Sequence, residues 1–166
     1  MTVVRAVVAG EGGRLREIRL ASLRHDPAAF ASTLEEELRA PNTWWTGWAA
    51  LSQEGATQRT FVVCDAAGAW RGLALVRLDT ERPGAAVINA MWVAPEARRR
   101  GHSRELCEAC ATWAAGAGAV TLALEVVEGN LAAQRAYESF GFAVTGETTI
   151  TVGGHGVREL LMARAL

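Results

Sequence analysis

The chain has 166 residues, of which 50% are hydrophobic and 21% are charged, and its formal net charge at pH 7 is −1. This length fits one domain, residues 1–166, and the composition excludes a disordered chain. The near-neutral charge argues against nucleic acid or an anionic membrane as partner, so an anion site has to be local. No stretch approaches the roughly 20 apolar residues of a membrane span. The three cysteines lack the spacing of a disulfide framework, which favours a cytoplasmic protein.

The hydrophobic patterns predict a mixed α/β sheet with the element order β-α-α-β-β-β-α-β-α-β-β. We expect strands at 3–8, 60–64, 73–78, 85–93, 120–127, 142–151 and 157–162. We expect helices at 12–24, at 27–38, from the glycine turn after residue 100 to Gly116 or Gly118, and at 130–140. Trp44, Trp45 and Trp48 follow the second helix in a short helix or a loop.

A basic turn containing one glycine follows the strand at 85–93. It reads Arg98-Arg99-Arg100-Gly101-His102-Ser103, with Arg104 next, and it leads into a helix. The first turn of a helix presents free N–H groups and the positive end of the helix dipole to an anion. The arginines add positive charge. This turn therefore predicts a site for an anionic diphosphate.

A second motif opens the helix expected at 130–140. Asn130 is a good N-cap, and Asn130, Ala133 and Tyr137 lie at i, i+3 and i+7 on one face of that helix. Ala133 is small enough for a ligand to lie against this face, and Tyr137 projects its hydroxyl one turn further along.

Together, these two motifs resemble those of the GNAT superfamily of acetyl-CoA-dependent N-acetyltransferases. Residues 98–103 stand in place of the family loop (Gln/Arg)-x-x-Gly-x-(Gly/Ala), with Ser103 at the last position. Residues 130–142 match the pattern N-x-x-A-x-x-x-Y-x-x-x-G-F. The resemblance implies a mixed, mostly antiparallel sheet of about seven strands flanked by about four helices.

The resemblance also implies acetyl-CoA as co-substrate and a set of residues that bind it. These residues are Met91, Trp92, Val93, Arg98, Arg99, Arg100, Gly101, His102, Ser103, Arg104, Asn130, Ala133 and Tyr137. The backbone of Met91, Trp92 and Val93 is expected to pair with the pantetheine arm, which is itself an amide chain. His102 either donates to the diphosphate or faces solvent. Tyr137 is expected to protonate the departing thiolate, the alternative being a tyrosine that only packs between sheet and helix.

Glu125 is the first candidate for the base that deprotonates the acceptor amine, and its alternative is a structural carboxylate paired with an arginine. Asn89 is a candidate to orient a water. Glu35, Trp44 and Trp45 are candidates for the acceptor site, because aromatic faces and carboxylates suit a cationic amine. Their alternatives are a solvated helix face for Glu35 and core packing for the tryptophans. The lone histidines predict no metal site.

The expected activity is direct transfer of an acetyl group from acetyl-CoA to a primary amine. A small molecule is the favoured acceptor: a polyamine, an aminoglycoside-like antibiotic or an amino-acid-like amine. A protein N-terminus is an alternative acceptor, because Leu-Glu-Val-x-x-x-Asn resembles members of the family that act there. A non-catalytic acyl-CoA sensor is a third hypothesis. The sequence is compatible with a homodimer and does not decide the oligomeric state.

Overall fold

The structure is a computed structural model that describes residues 1–166, and its centre is one sheet of seven strands in the order β1-β2-β3-β4-β5-β7-β6. The strands are β1 Val3–Ala6, β2 Gln58–Cys64, β3 Trp70–Leu78, β4 Ala85–Val93, β5 Thr121–Val127, β6 Ala143–Val152 and β7 His155–Ala165. Every neighbouring pair is antiparallel except β4 and β5, which are parallel. The predicted fold class, a mixed and mostly antiparallel sheet, is confirmed.

Five helices cover the two faces of the sheet. They are α1 Gly12–His25, α2 Leu34–Leu38, α3 Asn42–Glu54, α4 His102–Gly116 and α5 Leu131–Ser139, with single 3₁₀ turns at Pro27–Ala29 and Pro95–Ala97. None of these helices is long and apolar enough to cross a membrane.

The helix predicted at 27–38 is wrong, because two separate elements occupy this segment. Pro27 opens only a 3₁₀ turn, and Phe30 is already extended at φ −127°. Thr33 then starts α2 with a capping box, in which its hydroxyl accepts from the Glu36 N–H and the Glu36 carboxylate accepts from the Thr33 N–H. The tryptophans that follow lie in a full helix, α3, which ends at Gly55 with φ +63°.

Each face of the sheet carries its own hydrophobic core. The first core lies under α4 and α5 and includes Ile88, Leu106, Leu124 and Met162. The second lies under α1 and α3 and includes Leu15, Trp45, Val62 and Leu73. Strand β4 runs between both cores, so its alternate residues face opposite sides of the molecule.

The parallel pairing of β4 with β5 stops halfway along the two strands. The last registered pair is Ile88 with Leu124, although β4 continues to Val93 and β5 to Val127. A bulge lies just beyond this point, because Ala90 has φ +54° and the β3–β4 register shifts between Leu73 and Leu75. The two strands therefore open a gap in the middle of the sheet.

Candidate active site

The turn before α4 presents a continuous run of free backbone donors. The N–H groups of residues 99–104 have no acceptor in the protein; the first N–H of this segment that is paired is that of Glu105, which donates to the Gly101 carbonyl. Gly101 is the N-cap residue, with φ +86°, and nothing lies within 4 Å of the position where a Cβ would stand. Such a run of unpaired N–H groups at a helix start fits the diphosphate of a nucleotide-containing cofactor.

The arginine side chains of this turn have different partners. Arg98 donates through Nε to the Val93 carbonyl at 2.9 Å and through Nη2 to the Asp26 carboxylate at 2.6 Å. Arg104 donates to the Ser139 carbonyl at 3.1 Å. These two guanidinium groups therefore hold the turn to the rest of the protein.

Arg99 and Arg100 are exposed and make no ion pair, and Arg99 adopts a left-handed conformation at φ +60°. His102 does not face solvent: it is 6% exposed, and its Nδ1 lies 2.9 Å from Glu105 Oε2. The alternative in which His102 faces solvent is therefore wrong, because the ring is buried at the first turn of α4. Of this turn, Arg98, Arg99, Gly101, His102 and Ser103 line a groove of about 310 Å³, whereas Arg100 and Arg104 do not.

The same groove runs between the open end of β4 and one face of α5. The β3 side of β4 is occupied, because Trp92 pairs with Leu73 and the Ala94 N–H donates to the Arg71 carbonyl. By the alternation of a strand, Met91 and Val93 turn their backbone groups the other way, into the gap. The indole of Trp92 packs in the second core and donates to Asp26 at 2.7 Å. Met91 and Val93 thus offer the strand-like backbone edge, and Trp92 does not.

On the α5 side, the groove is lined by Asn130, Ala133 and Tyr137. Asn130 caps its helix, and its Oδ1 accepts from the Ala133 N–H at 3.3 Å. The Tyr137 ring packs edge-on against Phe140 and Phe142, and its hydroxyl has no hydrogen-bond partner in the protein. Burial strongly raises the pKa of Tyr137, so the hydroxyl keeps its proton across the neutral range. Its position and protonation fit a general acid.

A second cavity, of about 860 Å³, opens on the other side of the gap. It meets the groove at residues that line both, namely Ala29, Phe30, Met91, Asn130, Ala133 and Tyr137. Trp44 and Trp48 of α3 form one wall, and Ile150 of the β6–β7 hairpin contributes to another. Asn89 lines the cavity with a buried Oδ1 that has no partner.

Two carboxylates without partners lie on the sheet surface of this cavity. Glu125 of β5 is half-buried and Glu159 of β7 is 7% exposed, and neither makes an ion pair or hydrogen bond through its side chain. Burial raises the pKa of Glu125, partly offset by the charges of Arg82 and Arg77. Burial raises the pKa of Glu159 as well, and the charge of Glu125 raises it further. Glu125 is where the sequence predicts a base, whereas Glu159 was missed.

A third cavity carboxylate is already neutralised. Glu37 accepts from Arg19 at 2.7–3.1 Å and from the Ser32 hydroxyl, and the guanidinium of Arg19 also lies 4.6 Å above the ring of Phe30. Both ends of this ion pair are at least nine-tenths buried. It fixes α2 to α1 at the edge of the cavity.

Two residues expected at the acceptor site lie elsewhere. Glu35 is exposed on α2 and forms an i, i+4 ion pair with Arg39, so the solvated-face alternative describes it. Trp45 is 1% exposed and belongs to the second core. Trp48, by contrast, lines the cavity and anchors itself by donating to the Thr60 hydroxyl at 2.8 Å.

The side chains form neither a metal site nor an activated cysteine nucleophile. No group of three or more His, Cys, Asp and Glu side chains is arranged to hold a metal ion. All three cysteines are buried and free. Burial raises the pKa of Cys107 to about 11 and also raises the pKa of Cys110 well above its usual value, so neither thiol is activated for attack.

Comparison with known proteins agrees with this geometry. The model of the acetyltransferase (GNAT) family matches residues 19–142. The chain therefore belongs to the GNAT family of acetyltransferases, enzymes whose acetyl donor is acetyl-CoA. No protein of curated function shows a significant sequence match.

Solved structures share the fold over all or about two thirds of the chain. The yncA protein of Salmonella typhimurium, solved with its cofactor acetyl-CoA, is 18% identical and covers 100% of this chain and 94% of its own, with a TM-score of 0.80. NAA60 of Arabidopsis thaliana, solved with a bisubstrate analogue, is 14% identical over 99% of this chain and 98% of its own, with a TM-score of 0.74. Nourseothricin acetyltransferase is 29% identical over 66% of this chain and 65% of its own, with a TM-score of 0.61.

Proposed function

We propose that this enzyme acetylates a primary amine of a small molecule. The observation that carries the proposal is the cavity that meets the cofactor groove at Met91 and Tyr137. Its volume of about 860 Å³ is in the range of small-molecule sites. Its aromatic wall and unpaired carboxylates suit a cation. Nourseothricin acetyltransferase, which the chain resembles over two thirds of its length, is named for a small-molecule substrate.

In this proposal, the groove holds acetyl-CoA. The free N–H groups of residues 99–104 bind the diphosphate, and the backbone of Met91 and Val93 pairs with the pantetheine amides. Acetyl-CoA supplies the acetyl group as a thioester. The side chains of Asn130 and Ala133 line the path of the pantetheine arm at the start of α5.

Two protein groups move protons in the proposed reaction. Glu125 accepts a proton from the acceptor ammonium, which is charged at neutral pH and cannot attack until it is deprotonated. Its raised pKa brings it closer to the pKa of a useful base at neutral pH. Tyr137 donates its proton to the leaving sulfur, and burial keeps that proton in place until then. The acetyl group passes directly to the amine, because no activated cysteine stands ready to carry it.

The proposal is tested by following free-thiol release with acetyl-CoA and a panel of polyamines, aminoglycosides, amino acids and peptides with free N-termini. We expect turnover with at least one small amine and none above background with peptides. Turnover with peptides alone would make the protein an N-terminal acetyltransferase. Saturable acetyl-CoA binding by calorimetry without turnover across the panel would make it a sensor.

We further propose that the enzyme is cytoplasmic, because its three cysteines are free and buried and form no disulfide. Fractionation of the native host, with an antibody against the protein, tests this placement.

A further inference from the structure

The cavity holds two buried or half-buried acidic groups that form no ion pair with a protein cation. Of its three carboxylates, Glu37 is paired with Arg19, which leaves Glu125 and Glu159. Glu159 is more than nine-tenths buried, and its carboxylate has no donor within the protein. Placing an unpaired charge in such a site is costly unless a cation joins it.

The register of β5 and β7 brings the two carboxylates together. Glu125 is paired with Leu161, and Val127 with Glu159. Glu125 and Glu159 are thus diagonal neighbours on the same face, a relation that sets such residues roughly 7–8 Å apart. Because both side chains point into the same cavity from neighbouring strands, both carboxylates can contact one ligand there.

The cations around this pair are engaged or lie at the rim. Arg82 is bound to Asp79, and Arg158 is bound to Glu147 and Glu128. Arg77, on β3, lines the cavity but is exposed and makes no ion pair. Arg77 thus acts on Glu125 through its charge and leaves Glu159 without a contact.

Further groups on the cavity wall favour a cation with N–H donors. Asn89 contributes the unpaired Oδ1 described above, which accepts but cannot donate. Trp44, 44% exposed, and Trp48 present aromatic rings from α3, with centroids 5.3 Å apart. Aromatic faces attract ammonium groups, and the amide oxygen and carboxylates accept their N–H bonds.

We infer that the acceptor is a diamine or polyamine, in which Glu125 receives the nitrogen that is acetylated and Glu159 binds a second ammonium. This inference rests on the proposed function, because it assigns the substrate class of the same site. Glu159 is then a specificity-determining residue that touches the substrate away from the reacting atoms.

The test compares the linear diamines from diaminopropane to diaminohexane with the monoamines of the same chain lengths. For the wild-type enzyme, we expect kcat/KM to be at least tenfold higher for the best diamine than for its monoamine. In Glu159→Gln, kcat/KM for the diamine should fall by about thirtyfold or more, as when one partner of a desolvated charge pair is removed, and should change far less for the monoamine, which has no second ammonium. Glu147→Gln, an exposed carboxylate of the same hairpin, is the control and should change neither.

Equal kcat/KM for diamines and monoamines, or an equal loss of both in Glu159→Gln, would overturn the inference. A calorimetric titration of wild type and Glu159→Gln with the same diamines provides a readout that does not need turnover. Loss of thiol release with every amine would contradict the proposed function, and the titration would still decide the role of Glu159. Acetyl-CoA binding by each variant confirms that it has folded.

Discussion

The Asp26 carboxylate accepts a 2.6 Å hydrogen bond from the guanidinium of Arg98, although the two residues are 72 positions apart in the sequence. Asp26 closes α1, and Arg98 opens the turn that presents the free N–H groups. The indole of Trp92 donates to the same carboxylate oxygen at 2.7 Å. Burial favours the neutral form of Asp26, but the hydrogen bonds from Trp92 and Arg98 outweigh it and lower the pKa of this carboxyl. A charged Asp26 thus positions the cofactor turn through Arg98, and it also lines the groove beside that turn.

Replacing Asp26 with Asn should weaken acetyl-CoA binding several-fold and leave kcat at saturating acetyl-CoA within about twofold. The amide keeps the shape of the side chain but loses the charge that orients Arg98. Calorimetric titration with acetyl-CoA measures the effect, and Glu96→Gln, an exposed acid next to the same turn, serves as the control. Unchanged affinity in Asp26→Asn would show that the turn is set without this contact.

Replacing Tyr137 with Phe should lower kcat by about 10²–10⁴-fold, the range for loss of a general acid. The ring keeps its packing on Phe140 and Phe142, so the affinity for acetyl-CoA should change less than twofold. Because burial raises the pKa of Tyr137 well above its usual value, its titration should produce no loss of activity in the wild type at mildly alkaline pH. Steady-state kinetics and calorimetry on the same samples separate the two effects. A variant with wild-type kcat would remove Tyr137 from the proton transfer.

Replacing Glu125 with Gln should remove the acidic limb of the pH–rate profile. In the wild type, kcat/KM should fall as the pH drops through the pKa of Glu125, because the protonated acid cannot accept a proton. Burial raises that pKa, so the limb should lie at a higher pH than an exposed glutamate would give. Rates measured from acid to neutral pH with a fixed amine provide the comparison. If the limb persists in Glu125→Gln, another group is the base.

Replacing Glu159 with Gln should stabilise the ligand-free protein at pH 8 by about 1 kcal/mol, because a neutral amide avoids the cost of desolvating an unpaired charge and its repulsion from Glu125. A carboxyl whose pKa is higher in the folded state than in the unfolded state costs stability as the pH rises through that interval. The gain should therefore shrink in acid, where the carboxyl is protonated in both states. Melting temperatures of the wild type and Glu159→Gln, measured at pH 8 and at an acidic pH, give the difference. If the gain in stability does not depend on pH, it comes from packing and not from the removal of a charge.

The parts of the site that lie close together in sequence could be predicted. The turn at 98–104 and the helix that starts after Asn130 are local patterns whose spacing fixes their geometry, and both form one wall of the groove. The order of strands and helices likewise follows from local periodicity, with the exception of the segment after Pro27.

The other parts of the site depend on contacts between residues that are distant in sequence, and local spacing does not encode such contacts. Glu159 reaches the cavity only through the pairing of β5 with β7, although a charge between Val157 and Leu161 in an alternating strand was a signal that could have found it. Trp44 and Trp48 differ by one helical turn and share a face, whereas Trp45 points into the core. That distinction required α3 to be recognised as a helix. Local patterns give Asp26 no role at the site, because its partners Trp92 and Arg98 lie 66 and 72 residues away.

The interrupted pairing of β4 with β5 has a consequence for the protein in the absence of its cofactor. The open part of β4 presents strand backbone groups without a neighbouring strand, much as the outer strand of a sheet does, although the Val93 carbonyl accepts from Arg98. Such an edge is a template for the addition of another strand, including one from a neighbouring molecule. Pairing with pantetheine would occupy that template. The cofactor-free enzyme should therefore aggregate before the cofactor-bound enzyme does. Acetyl-CoA should slow this aggregation even at temperatures well below the melting temperature, where both forms are folded.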